Sequence, residues 1–367
     1  MHEPSSLPES APQIALALSG GGIRAMVFHL GVLKRLAELG LMERIQRLST
    51  VSGGSLLIGL MLQESAMNWP SSEVFLSQIF PQLRMKLCRR SLQWGALRQL
   101  LNSSNWRFIF SRANLLGLAL RHEWNVTQNL SDLPETPEWS INGTTAENGK
   151  RFRFKRNDLG DYSLGYAPSA QFPLSQALAV SAAFPVGFGP LWIDARCHEW
   201  KKRPWDAPLG SEQVVNIGYD ALHLYDGGVY DNLGLEPFFD AGKGRSKHPG
   251  SYIIVSDAGS ALPTGFSFGS FSPRRLQRIA DIMSDQAHAL RIRTFANFLQ
   301  EGADRGALIM INTAQEVDSS SAFASSYPTT LRRVPLEVFD RLAEHGYRAA
   351  FHVERQYGLG PRRVGRH

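Results

Sequence analysis

Apolar positions recur along this chain in two rhythms, one suited to strands and one to helices. Ile14-Ala15-Leu16-Ala17-Leu18 is a short continuous apolar run, as a strand buried on both faces requires. Val27, Leu30, Leu33, Leu36 and Leu39 then recur at helical spacing until Gly40 ends the pattern. A second strand-like run, Ile45 to Val51, leads to Ser52, and a further helix is predicted from Gly53 to about Gln63. Such a strand-helix-strand crossover sets its two strands parallel, so their C-terminal ends share one edge of the sheet. Trp139-Ser140-Ile141-Asn142, the alternating Arg151-Phe152-Arg153-Phe154, Ala221 to Tyr225 and Tyr252 to Val255 read as further strands. Ile279 to Leu299 and Leu336 to Tyr357 read as amphipathic helices. Strands interleaved with helices predict an α/β layer fold.

Length and composition bound this picture. The 367 residues suit one large domain over 14–357, and 43% hydrophobic content is enough for a full core. No stretch approaches the roughly 20 apolar residues of a membrane-spanning helix. Residues 1–13 are rich in Pro, Ser and Glu, without the basic start or apolar stretch of a secretory signal, and read as a disordered leader. The Gly/Pro/Arg-rich residues 358–367 read as a basic flexible tail, and Thr264 to Arg275 as a loop. Cys88 and Cys197 alone form neither a disulfide framework nor a metal cluster, which points to a reducing, cytoplasmic compartment.

The formal net charge of +6 favours anionic partners, and it is unevenly spread. From Val74 to His122 there are eight Lys or Arg and no acid, with Trp94, Trp106, Phe108 and Phe110 among Arg84, Lys86, Arg89, Arg90, Arg98, Arg107 and Arg112. The segment 65–137 therefore reads as a helical cap insertion. A solvated helical face explains such a pattern as well as a surface that rests on an anionic membrane. Single-stranded nucleic acid is a weaker expectation, since no nucleic-acid-binding module surrounds the segment.

The two strand ends carry the chemistry. Gly20-Gly21-Gly22 follows the first, and Thr50-Val51-Ser52-Gly53-Gly54 ends the second. Ser52 is the candidate nucleophile: it begins a helix, whose dipole and free N–H groups favour negative charge, and the glycines leave room for a sharp elbow. A serine that merely caps a helix is the common alternative, and the glycine loop one crossover earlier is what makes the pairing specific. Gly20 to Ala25 also fits a dinucleotide-binding fingerprint, but that site wants an acid at the end of the second strand, where this chain has Ser52. For the base, His29 on the first helix and His223 in a strand carry no catalytic context. Asp226, before Gly227-Gly228, and Asp257, in Val255-Ser256-Asp257-Ala258-Gly259, both sit at strand ends. Each also suits an aspartate that hydrogen-bonds its own turn, and spacing does not separate them.

With these motifs in place, the chain resembles the patatin-like phospholipase family from about Ile14 to Tyr357, the basic cap being the least typical part. The family's glycine-rich motif corresponds to Gly20-Gly21-Gly22-Ile23-Arg24-Ala25, its nucleophile motif to Thr50-Val51-Ser52-Gly53-Gly54, and its Asp-Gly-Gly motif to Asp226-Gly227-Gly228. Ala182-Ala183-Phe184-Pro185, with Phe188 and Pro190, and Asn142-Gly143-Thr144-Thr145 look like further family segments. The resemblance implies a three-layer α/β/α hydrolase fold and lipid acyl hydrolysis by a Ser52/Asp226 dyad without histidine, metal or cofactor, and it selects Asp226 over Asp257. It implies an oxyanion hole from Gly20, Gly21, Gly22 and Gly53, with Arg24, Gly54, Gly227 and Gly228 as loop or substrate support. Ala25 and Thr50 stand where the family usually has glycine. The expected partners are an acyl-ester lipid and an anionic membrane touched by the cap. The alternative is a catalytically silent lipid-binding protein of the same fold.

Overall fold

The computed structural model describes residues 13–108, 111–183, 189–208, 210–259, 262, 264–266, 269, 272, 274–302, 304–313 and 320–360. Most of the expected leader and tail, together with Phe110, Phe184, Pro185 and Phe188, lies outside the described residues. The chain opens with β1 (Ile14–Leu18), α1 (Gly22–Glu38), β2 (Ile45–Thr50) and α2 (Gly53–Glu64). A mostly helical stretch follows, with α3 (Ser72–Val74), α4 (Phe80–Arg89), α5 (Leu92–Arg98) and α6 (Arg112–Glu123). Next come β3 (Glu138–Thr145), β4 (Arg151–Phe154), β5 (Asp158–Asp161), β6 (Gly165–Pro168), α7 (Leu174–Ser181), β7 (Leu191–Asp194), β8 (Lys201–Lys202), β9 (Gln213–Val214), β10 (Ala221–Asp226) and α8 (Gly228–Asp231). The remainder holds β11 (Phe239–Asp240), β12 (Arg245–Ser246), β13 (Tyr252–Asp257), α9 (Arg274–Gln300), β14 (Gly306–Met310), α10 (Ser320–Ser326) and α11 (Leu336–Tyr357).

The main sheet changes character at β3. On one side, β14-β13-β1-β2-β3 is parallel throughout; on the other, β4, β5, β6, β8 and β9 add antiparallel strands. The alternation of β1 shows why helices cover both faces. Ile14, Leu16 and Leu18 pack into a core with α1 and α11, whereas Ala15 and Ala17 join Ile253, Val255, Phe295 and Phe298 in a second cluster under α9. Two buried faces on one strand require two covering layers, so the three-layer expectation holds.

The strand that carries Asp226 runs antiparallel to its neighbour β3. β2 pairs with the first half of β3, from Arg47 opposite Glu138 to Thr50 opposite Ile141. β10 pairs antiparallel with the second half of the same edge, from Leu224 opposite Thr145 to Asp226 opposite Gly143. The two strands therefore meet end to end along β3, and only Asn142 separates their last partners. This head-on arrangement brings the residues after Thr50 against the residues after Tyr225. Of the helices, α11 matches its expected span, while α9 begins at Arg274, inside the segment expected to be loop.

Candidate active site

Ser52 sits at a turn that an L-residue adopts at some cost. Its φ is +49°, in the left-handed region, between the end of β2 and the start of α2. Its backbone N–H donates to the carbonyl and the hydroxyl of Ser181, both at 3.0 Å. Close packing fixes what can follow: a Cβ on Gly53 would overlap the Gly22 carbonyl, and one on Gly54 would lie 2.6 Å from the Leu18 carbonyl. Thr50 is tied in by its hydroxyl, which accepts from Trp139 Nε1 at 2.8 Å and bonds Ser55 Oγ at 2.7 Å. Ser55 in turn bonds Ser181 Oγ at 2.8 Å. A buried hydrogen-bonded chain thus links Thr50 to the backbone of Ser52, which gives the threonine at the usual glycine position a structural use.

The glycine loop packs against this elbow. Gly21 and Gly22 both have positive φ, 141° and 60°, so their peptide planes are turned in a way a side chain resists. Gly20 behaves differently from its neighbours. Its N–H already donates to the Asn232 carbonyl at 3.1 Å, which removes it from the donors open to an oxyanion. Arg24 is 2% exposed, and its guanidinium donates to the carbonyls of Tyr327 (2.8 Å), Ala258 (3.0 Å) and Ser325 (3.3 Å). Burial lowers its pKa to about 10. These bonds make Arg24 a tether between the glycine loop and the segments after β13 and α10.

Asp226 ends β10 and is buried. Its own N–H donates to the Ala183 carbonyl, and its carbonyl accepts from Thr144 Oγ1 at 2.8 Å. One carboxylate oxygen accepts the Gly228 N–H at 2.7 Å. A Cβ on Gly227 would lie 2.5 Å from the Asn142 carbonyl, so glycine lets the turn pass against β3. Burial pushes the carboxyl up to about 7; the Gly228 N–H and the Ser52 hydroxyl act in the opposite direction and offset only part of that rise. Asn142 braces the junction, donating to Ser49 Oγ and the Thr50 carbonyl at 2.9 Å, while Arg151 donates to its amide oxygen at 2.8 Å.

Ser52, Asp226 and the glycine loop line one cavity of about 860 Å³. Ala96, Leu97, Leu100, Leu115 and Leu331 give it an apolar wall, drawn mainly from α5 and α6. Asp281, Ser284, Asp285 and His288 of α9 form a polar wall. A serine, a buried carboxylate with a raised pKa and glycine N–H groups around a half-apolar cavity are the components of acyl transfer. A model of the patatin-like phospholipase family matches residues 16–239, more than half of the chain. The chain belongs to the patatin-like phospholipase family.

A search of curated proteins found no match. Among solved structures, the human GIVD cytosolic phospholipase A2 is similar at 14% identity and a TM-score of 0.55, covering 95% of this chain and 60% of that one. This patatin-like chain thus spans about 60% of the length of the human protein, and the likeness is one of fold. VipD from Legionella pneumophila (14% identity, TM-score 0.40, 96% of this chain and 68% of that one) and the ExoU–SpcU complex of Pseudomonas aeruginosa (14%, 0.34, 95% and 52%) are more distant.

The other candidates separate clearly. His29 is fully buried, accepts from Ser256 Oγ at 2.7 Å and donates to the Ser19 carbonyl at 3.1 Å. Burial lowers its pKa to about 4, so it is a neutral packing residue. His223 is exposed and pairs with Glu147 at 2.7 Å. Asp257 is taken by His288, whose Nε2 lies 3.0 Å from its carboxylate, and by the Gly259 N–H at 2.9 Å. Burial would raise Asp257, but these partners hold it below its ordinary value, and Asp257 holds His288 above its own despite burial. His288, Ser181 and Asn232 carried no signal in the sequence reading, because each reaches the site through a contact distant in the chain. The cap arginines are less free than their clustering implied: Arg84 pairs with Asp340, Lys86 with Glu64, and Arg90 and Arg98 with Glu123.

Proposed function

We propose that the protein is a lipid acyl hydrolase in which Ser52 is the nucleophile and Asp226 its base. The observation that supports this most is the end-to-end meeting of β2 and β10, which puts a carboxyl with a pKa of about 7 beside the serine. At neutral pH a substantial fraction of Asp226 is ionised and able to take the Ser52 proton as the hydroxyl attacks an ester carbonyl. The N–H groups of Gly21, Gly22 and Gly53 stabilise the tetrahedral oxyanion, and Gly20 holds their loop to Asn232. Asp226 then passes its proton to the leaving alcohol, and afterwards takes one from the attacking water and returns it to the Ser52 oxygen as the fatty acid leaves.

The apolar wall of α5 and α6 accepts the acyl chain, which makes the cap segment 65–137 part of the substrate site. Arg89, with the exposed Trp94 and Trp106, is the part of the cap suited to an anionic membrane surface. Among the described residues no helix is long and apolar enough to cross a membrane, and contact is proposed to be peripheral. The test is release of fatty acid from a panel of phospholipids, lysophospholipids and glycerides, wild type against Ser52→Ala. Release by the wild type alone supports hydrolysis. Lipid binding without release by either protein favours the silent lipid-binding alternative.

A further inference from the structure

The long helix α9 is inside out over its first two thirds. Asp281, Ser284, Asp285 and His288 face the cavity, yet Leu276, Ile279, Met283 and Leu290 face solvent. These four apolar residues follow one another at three-, four- and seven-residue steps and so form a single stripe on the helix. They are 74%, 54%, 68% and 60% exposed. Only near its C-terminal end does α9 turn apolar side chains inward, at Phe295 and Phe298. Water is a poor solvent for such a stripe, and a polar cavity on the inner side gives the apolar residues no alternative burial.

Charge indicates what covers it. Arg274, Arg275 and Arg278 all precede the first acid of the helix, Asp281. Cations at a helix N-terminus oppose the helix dipole, so their placement there is unfavourable until an anionic surface meets them. Arg275 also lies over the ring of Phe266, 5.4 Å from its centroid, and Phe266 is itself exposed. An apolar stripe headed by arginines is the pattern of a helix that lies in the headgroup region of a bilayer. α5 also joins the cavity to exposed apolar surface: Ala96 and Leu97 line the cavity, and Leu97 and Trp94 of the same helix are exposed.

From this we infer that α9 is a membrane-docking element, its outer stripe of Leu276, Ile279, Met283 and Leu290 inserting into an anionic bilayer. The occupant is a lipid surface, and docking rests on the lipid-ester reading for its purpose but not for its measurement. The test is partitioning of the full chain onto vesicles of equal parts phosphatidylglycerol and phosphatidylcholine, made in a Ser52→Ala background so that turnover of vesicle lipid does not disturb it. Leu276→Glu/Met283→Glu is expected to lower the partition coefficient about tenfold or more. The milder Leu276→Ser/Ile279→Ser is expected to lower it about threefold. Leu336→Glu, at an exposed position of α11, is expected to leave it unchanged. Raised salt should weaken binding of the parent protein. Parent protein that does not partition, or folded variants of both kinds that partition as the parent does, overturns the inference. So does a dimer of the parent that the same substitutions split, which would make the stripe a contact between two copies.

Discussion

Asp226 and Asp257 look alike in the sequence and differ in what the fold does with them. Both end a strand, both are buried, and both accept a backbone N–H from a residue two positions later, Gly228 and Gly259. Asp257 ends a strand inside the parallel half of the sheet, where His288 of α9 hydrogen-bonds its carboxylate. Asp226 ends an antiparallel strand that abuts β2, where its added partner is the Ser52 hydroxyl. One carboxylate is held below its ordinary pKa as half of a buried pair; the other is raised to about 7. Burial alone does not make a base. What distinguishes Asp226 is burial with no histidine, lysine or arginine on its carboxylate among the described residues.

Variants at the two positions should therefore diverge, and the largest effects are expected at the proposed dyad. Ser52→Ala is expected to remove covalent labelling by a fluorophosphonate and to lower ester turnover by at least about a thousandfold. Asp226→Asn should lower turnover by a similar order, since the serine then lacks a proton acceptor, while circular dichroism reports a folded protein. Gly53→Ala comes next, with a loss of about a hundredfold, because its Cβ displaces the Gly22 carbonyl and with it the oxyanion loop. Turnover of Gly53→Ala within a few-fold of wild type would remove the loop from the mechanism.

Stability separates the aspartates in the opposite sense. The folded-state pKa of Asp226 lies above its unfolded value, so the folded protein binds the extra proton and loses stability as pH rises toward about 7. Asp226→Asn abolishes that penalty and is expected to gain on the order of a few kcal/mol in urea unfolding near pH 8. Asp257 is depressed, so its contribution is present above the unfolded carboxyl value and fades as pH falls through the folded one. Asp257→Asn should accordingly destabilise at neutral pH and less so in acid, with turnover changed by about threefold or less. A large catalytic defect in Asp257→Asn with Asp226→Asn still active would reverse the two assignments.

The legibility of the site follows the distance over which it is built. β1, α1, β2 and the elbow at Ser52 lie within one crossover, and local periodicity was enough to read them. Asp226 depends on β10 joining the same edge of β3 as β2, a pairing across more than 80 residues of chain that no local pattern encodes. Only the family resemblance could choose it over Asp257. The pairing of Asp257 with His288 was hidden for the same reason, as was the engagement of the Gly20 N–H by Asn232. The cap shows what reading charge locally leaves out. No acid lies between Val74 and His122, yet Glu64, Glu123 and Asp340 reach Arg84, Lys86, Arg90 and Arg98 from outside that stretch.

The pH dependence of fluorophosphonate labelling at Ser52 tests the role of Asp226 most directly, because labelling needs the activated serine and no lipid interface. Between about pH 5 and 9 the wild-type rate is expected to rise through a midpoint near 7 and then level, as Asp226 loses its proton. His288→Gln should keep that midpoint, and Asp226→Asn should lose both the rate and its pH dependence. A wild-type rate that is flat across this range, with Asp226→Asn labelled as fast, would contradict Asp226 as the base.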